Sequence, residues 1–186
     1  EPLYNQVEIE ERNTKKIELV SSTNQLSSLE ESNISKVWKE SDKKMILCGQ
    51  LESDKILLDK LKELSEDTSV AILVENTSNL VHQLFIHCID RTLNVITEEE
   101  LEDYSPDLLI TIGGAVVSKK IKTFFRNNRP KHHWKVGFDF PFMDTYQSLT
   151  HSFKVSEVSF FSIINRLNVE KNSSMFGAKW KQKDFE

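Results

Sequence analysis

The sequence predicts an α/β fold, a parallel sheet with helices on both faces. Three observations predict it. The short runs Met45 to Gly49, Ser69 to Val74 and Asp107 to Ile112 are almost uninterruptedly apolar, as strands buried on both faces are. Between them lie stretches whose apolar residues recur at helical spacing. Glycine closes two of the runs, at Gly49 and at Gly113-Gly114. Strands alternating with helices in this manner build a Rossmann-like layer.

Each element follows in order. Residues 1–25 are polar apart from Ile17-Glu18-Leu19-Val20 and read as an incoming arm. Leu26, Leu29, Ile34, Val37 and Trp38 mark a first helix, and Ile56, Leu57, Leu58, Leu61 and Leu64 a second. Residues Leu80 to Ile89 suggest a weaker helix, and Glu98 to Asp103 a short acidic one. Ile121, Phe124 and Phe125 mark the helix after the third strand. His133 to Phe138 and Ser148 to Val155 each supply a further strand, and Ser156 to Leu167 the last helix of the core. The domain is expected to run from 26 to 167, followed by an outgoing linker over 168–186 that is polar except for Met175, Phe176 and Trp180.

Composition narrows the function. The chain has 186 residues, 38% hydrophobic and 28% charged, with 11 Phe and 3 Trp, enough to bury a core. No run approaches the roughly 18 apolar residues of a membrane span. Neither Cys48 nor Cys88 belongs to a CxxC pair, so both read as buried thiols of a cytoplasmic protein. The net charge of −5 hides a division. Residues 1–110 carry 11 Lys and Arg against 23 Asp and Glu, whereas 111–186 carry 13 against 6. Between Ser118 and Lys135 stand seven basic residues and no acidic one, either a solvated face or a wall for an anionic ligand. The acidic total and sparse aromatic interleaving speak against nucleic acid.

In parallel sheets, ligands sit outside the carboxyl ends of the strands. That directs attention to Gly49-Gln50, Glu75 to Asn79, Gly113 to Lys120 and Asp139 to Asp144. The strongest of these is Gly113-Gly114-Ala115-Val116-Val117-Ser118-Lys119-Lys120. Two glycines let the backbone turn and approach a ligand. Ser118 is a natural N-cap, placing Lys119 and Lys120 in the first helical turn. Cations there oppose the helix dipole at about 0.3–1 kcal/mol each. A bound anion, using the free N–H groups and the ammonium charges, would reverse that penalty. No GxGxxG, P-loop or GxSxG is present. His132 and His133 point to opposite faces of a strand, His82 and His87 are poorly spaced on a helix, and His151 stands alone, so no metal site is expected. Asp139 and Asp144 read as loop caps.

From Pro106 to Gly114 and on through Ser118-Lys119-Lys120 to Phe125, the sequence resembles the middle domain of a known family. The family is that of the thiamine-diphosphate-dependent 2-succinyl-5-enolpyruvyl-6-hydroxy-3-cyclohexene-1-carboxylate synthases of menaquinone biosynthesis. Glu1-Pro2-Leu3-Tyr4 is similar to the end of the preceding catalytic domain, and Lys179-Trp180 to the approach to the following one. Glu75-Asn76-Thr77-Ser78 stands where relatives have an Asp-Pro-Leu-Ser-like segment, and Lys119-Lys120 where some have Lys-Arg. The resemblance implies an enzyme that decarboxylates 2-oxoglutarate and adds the resulting unit to isochorismate. It implies that thiamine diphosphate and Mg²⁺ are held by flanking catalytic domains, within a homo-oligomer, and that this piece binds neither cofactor and is inert alone. It assigns substrate-carboxylate contact to Lys119 and Lys120, with strand-end contacts from Gly113, Gly114, Ser118 and Ser78. Two alternatives stay open on the residues: the middle domain of another thiamine-diphosphate enzyme holding a flavin or nucleotide, or a free-standing anion-binding regulatory domain.

Overall fold

The computed structural model describes residues 17–20, 26–139, 141–168 and 172–185; the segment Glu1-Pro2-Leu3-Tyr4 lies outside them. Six strands form one sheet: β1 (Glu18–Val20), β2 (Lys44–Cys48), β3 (Val70–Val74), β4 (Leu108–Ile112), β5 (His132–Val136) and β6 (His151–Phe153). Their order is β1-β6-β5-β4-β2-β3, and every pairing is parallel. The expected α/β class is observed.

The apolar runs are continuous because both faces are covered. Ile46, Cys48, Val70, Ile72, Leu108 and Ile110 face one core, with α1 (Ser28–Glu40), α2 (Lys55–Ser65) and α6 (Glu157–Leu167) packed above. Met45, Leu47, Ala71, Leu73 and Leu109 face the other. That side is covered by α3 (Ile89–Val95), α4 (Leu101–Tyr104), α5 (Lys119–Asn127) and α7 (Phe176–Phe185). Caps start the helices where the chain leaves the sheet. Ser27 and Glu30 form a capping box at α1, and Asp54 Oδ1 accepts from Ile56 N (2.8 Å) and Leu57 N (3.0 Å) at α2.

Two expectations are corrected. Residues Leu80 to Ile89 are not a helix; the helix is α3, beginning at Ile89. The segment instead runs beside the edge strand, where Val74 N donates to Ile86 O (3.0 Å) and Ile86 N to Ile72 O (2.8 Å). Those bonds satisfy edge groups of β3 that a helix would leave open. Cys88 is exposed rather than buried, since Phe85, Ile86 and Ile89 around it take the inward positions. Cys48 is fully buried, and burial pushes its thiol pKa up. Alkylation of the native protein followed by peptide mapping is expected to modify Cys88 and spare Cys48. Labelling of Cys48 without unfolding would contradict its placement.

Within the stretch 168–186, expected as a linker, Phe176–Phe185 form α7 against β3, with Phe176 and Trp180 buried. Among the described residues no helix is long and apolar enough to cross a membrane.

Candidate functional site

The strand order dictates where a site can form. From β2 the chain moves to β3 on one side, and from β4 to β5 on the other. The crevice between the carboxyl ends of β2 and β4 is therefore the topological switch point. Gly49 N donates to Ile112 O (3.0 Å), Gln50 N to Ala115 O (3.2 Å) and Gly114 N to Gln50 O (2.7 Å), lacing the two strand-end loops together. Gly113 has φ +71°, and a Cβ there would lie 2.5 Å from the Gln50 carbonyl oxygen. Only glycine meets both demands.

Three adjoining cavities open along this edge. One of about 520 Å³ is lined by Gln50, Gly113, Gly114, Lys122, Lys135 and Tyr146, among others. A second, about 390 Å³, includes Gln50, Lys135, Asp139 and Glu157. The third, about 580 Å³, includes Glu75, His87, Asp90, Arg91, Ser118, Lys119 and Lys120. All four segments singled out in the sequence contribute to these walls.

The α5 amino terminus has the expected form. Ser118 is the N-cap, its Oγ accepting from Ile121 N (3.1 Å), and Lys119 and Lys120 occupy the first turn. What the sequence did not reveal is that the chain supplies its own carboxylates there. Glu75 Oε1 accepts from Val117 N (3.1 Å) and Ser118 N (2.9 Å), and the Ser118 hydroxyl donates to Asp90 Oδ1. Glu75 thus engages the N–H of the cap residue and of the residue before it, and its charge offsets the two lysines beside it. Lys120 Nζ donates to Asn94 Oδ1. Lys119 is exposed, and among the described residues its ammonium makes no hydrogen bond or ion pair.

Ser78 does not join the cavity walls. It is fully buried in a 3₁₀ turn (Asn76–Ser78), and its Oγ accepts from Leu80 N (3.3 Å). Nearer the switch point, Lys135 Nζ donates to the Gly113 carbonyl. Burial lowers the Lys135 pKa against the pull of Glu157 and Asp139, and burial raises that of Glu157. His133 is buried, in contact with Thr111 Oγ1 (3.1 Å) and Ser148 Oγ (3.0 Å), as a structural histidine is. Among the described residues no group of three or more His, Cys, Asp or Glu is placed to hold a metal ion.

The edge thus brings Lys119, Lys120, Lys122 and Lys135 to the cavity walls beside Glu75, Asp90, Asp139 and Glu157. No family model matches the chain. Curated proteins do. It is 36% identical over 161 residues to the 2-succinyl-5-enolpyruvyl-6-hydroxy-3-cyclohexene-1-carboxylate synthase of Flavobacterium psychrophilum, covering 87% of this chain and 29% of that protein. It is 35% identical to the synthases of the same name from Flavobacterium johnsoniae and Christiangramia forsetii, covering 70% and 73% of this chain and 24% of each relative. The chain thus spans less than a third of the length of the curated relatives it matches. By sequence, over the part that it spans, this chain belongs to the family of 2-succinyl-5-enolpyruvyl-6-hydroxy-3-cyclohexene-1-carboxylate synthases.

Proposed function

We propose that the chain is the central domain of a cytoplasmic, homo-oligomeric synthase that decarboxylates 2-oxoglutarate and adds the resulting unit to isochorismate. Its own part is to contact substrate, not to carry out the bond-making steps. The observation that carries this reading is the unengaged ammonium of Lys119 at the carboxyl edge of the sheet. The product in the relatives' name carries carboxylate groups, and a flexible ammonium held on a fixed helix start is suited to receive one. Lys120, tied to Asn94, contributes charge more than direct contact.

Thiamine diphosphate supplies, when bound, the electron sink for decarboxylation. The described residues offer no cluster that fits a Mg²⁺-diphosphate group. In this reading the cofactor is held by the flanking catalytic domains. The chain's residues bind and orient: Lys119 takes the carboxylate, Ser118 and Glu75 fix the turn that presents it, and the paired loops at Gly113 hold that turn to the sheet.

In the full-length enzyme, Lys119→Ala is expected to lower kcat/KM for isochorismate by about 10–150-fold, the worth of one charge-assisted hydrogen bond. The KM for 2-oxoglutarate should move little, and Lys120→Ala should have the smaller effect. Steady-state kinetics with each substrate varied in turn checks this. Wild-type isochorismate kinetics in both variants would reduce the basic stretch to a solvated face.

A further inference from the structure

Glu75 closes β3, yet it acts on the loop after β4, reaching past the carboxyl end of β2 that lies between them. Both of its bonds to that loop converge on one oxygen, Oε1, which accepts from the consecutive N–H groups of Val117 and Ser118. Ser118 is the cap residue of α5 and Val117 the residue before it, so Glu75 grips the entry to the helix. The first turn of α5 contains no acidic residue of its own, so the negative charge at this helix start is delivered from another strand. Lys119 follows immediately after the second of the two donors. The direction in which its ammonium is presented is set by the turn that Glu75 holds.

We propose that Glu75 is a positioning residue for the substrate carboxylate: it fixes the Val117–Ser118 turn from which α5 starts, so that the carboxylate is received by Lys119. This rests on the reading of Lys119 as a substrate contact. Two properties of Glu75 carry the proposal, its reach and its place. Its reach lets one carboxylate oxygen saturate both backbone donors. Its place, in the wall of the same 580 Å³ cavity as Lys119, Lys120 and Arg91, puts a fixed anion among the cations that would otherwise compete for the ligand. Asp90, which accepts from the Ser118 hydroxyl, holds the same turn from the α3 side but engages none of the backbone donors.

Because a single oxygen makes both bonds, reach and charge can be tested apart in the full-length enzyme. Glu75→Gln keeps an acceptor oxygen at the same distance and removes the charge. Glu75→Asn is equally neutral and one methylene shorter, so it loses the reach. Glu75→Ala loses the acceptor altogether. Glu75→Ala and Glu75→Asn are expected to raise the KM for isochorismate on the order of tenfold, with kcat and the KM for 2-oxoglutarate nearly unmoved. Glu75→Gln is expected to restore a KM at or below that of the wild type. Equal isochorismate KM values in the Gln and Asn variants would overturn the proposal, a comparison that stands even if Glu75→Ala does not fold. A lowered melting temperature with unaltered KM throughout would make Glu75 a structural cap only. Lys119→Ala, run in parallel, separates the two levels. If it leaves the isochorismate KM unchanged, the functional reading fails; if it raises KM while the Glu75 series does not, only the positioning role fails.

Discussion

Trp180→Ala is expected to destabilise the chain by about 3–5 kcal/mol, in the range of large aromatic truncations in cores. Trp180 lies in a stretch that reads as a polar tail, yet its side chain is fully buried. Its ring stands edge-on to Tyr104 (centroids 5.5 Å apart) and Phe124 (6.2 Å), and Nε1 donates to the Tyr104 carbonyl (3.2 Å). Truncation leaves a cavity under α7 and removes the hydrogen bond from Nε1. Gly177→Ala tests the same docking from the backbone side. A Cβ at Gly177 would lie 2.1 Å from the Val70 carbonyl oxygen, and β3 cannot withdraw without disturbing its ladder with β2. Phe185→Ala, at an exposed position on the same helix, should stay within about 0.5 kcal/mol of the wild type. Urea denaturation of the three variants measures this. A Trp180→Ala cost near that of Phe185→Ala would show that α7 is not part of the core.

The second large effect is expected on the opposite face of the sheet, at the amino end of β2. Lys44 is 2% exposed, with Nζ donating to Ser69 Oγ (3.0 Å) and lying 5.2 Å from the centre of the Trp38 ring. The Ser69 hydroxyl donates in turn to Asp67 Oδ1 (2.7 Å), a carboxylate that is itself fully buried and whose Oδ2 has no partner. Lys44→Ala removes the cation that this buried anion faces through Ser69, at a cost of about 3–5 kcal/mol. Lys44→Met fills the space and should cost less. Burial holds the Lys44 pKa below its ordinary 10.5, opposed by Asp67, Asp42 and Asp107. The folded chain therefore releases this proton more readily than the unfolded chain does, and stability rises with pH between the folded value and 10.5. Relative to Lys44→Met, the wild type should gain stability as the pH rises toward 10.5. A stability difference independent of pH across that alkaline interval would show that Lys44 titrates alike in both states.

The strands were legible because burial on both faces leaves no alternation to disguise them: Met45–Cys48 and Val70–Val74 read as unbroken apolar runs, and Leu108–Ile112 is interrupted only by Thr111. Leu80 to Ile89 misled for the opposite reason. Leu80, Phe85, Ile86 and Ile89 are all buried at spacings compatible with a helix, but edge bonding to β3 decided the conformation. Phe176 and Trp180 are four residues apart, a helical signal too sparse in a polar tail to declare a docked helix. At the site, the glycine turn and the lysines of the first helical turn follow from local sequence. Glu75, Asp90 and Asn94 do not, because their meeting with Val117 to Lys120 depends on the strand order and on where α3 settles. Local chemistry is written locally; the partners that restrain it come from other strands and helices.

The pairing of β1 with β6 has a temporal meaning. Glu18 bonds alongside His151, so the first strand to be synthesised has the last one as its neighbour. While the polypeptide emerges from the ribosome, β2, β3 and β4 become available to one another long before His151–Phe153 exist. Until then β1 keeps its main-chain donors and acceptors on water. Growth of the sheet thus ends on its own first strand, and a nascent chain arrested before His151 has no place to put β1.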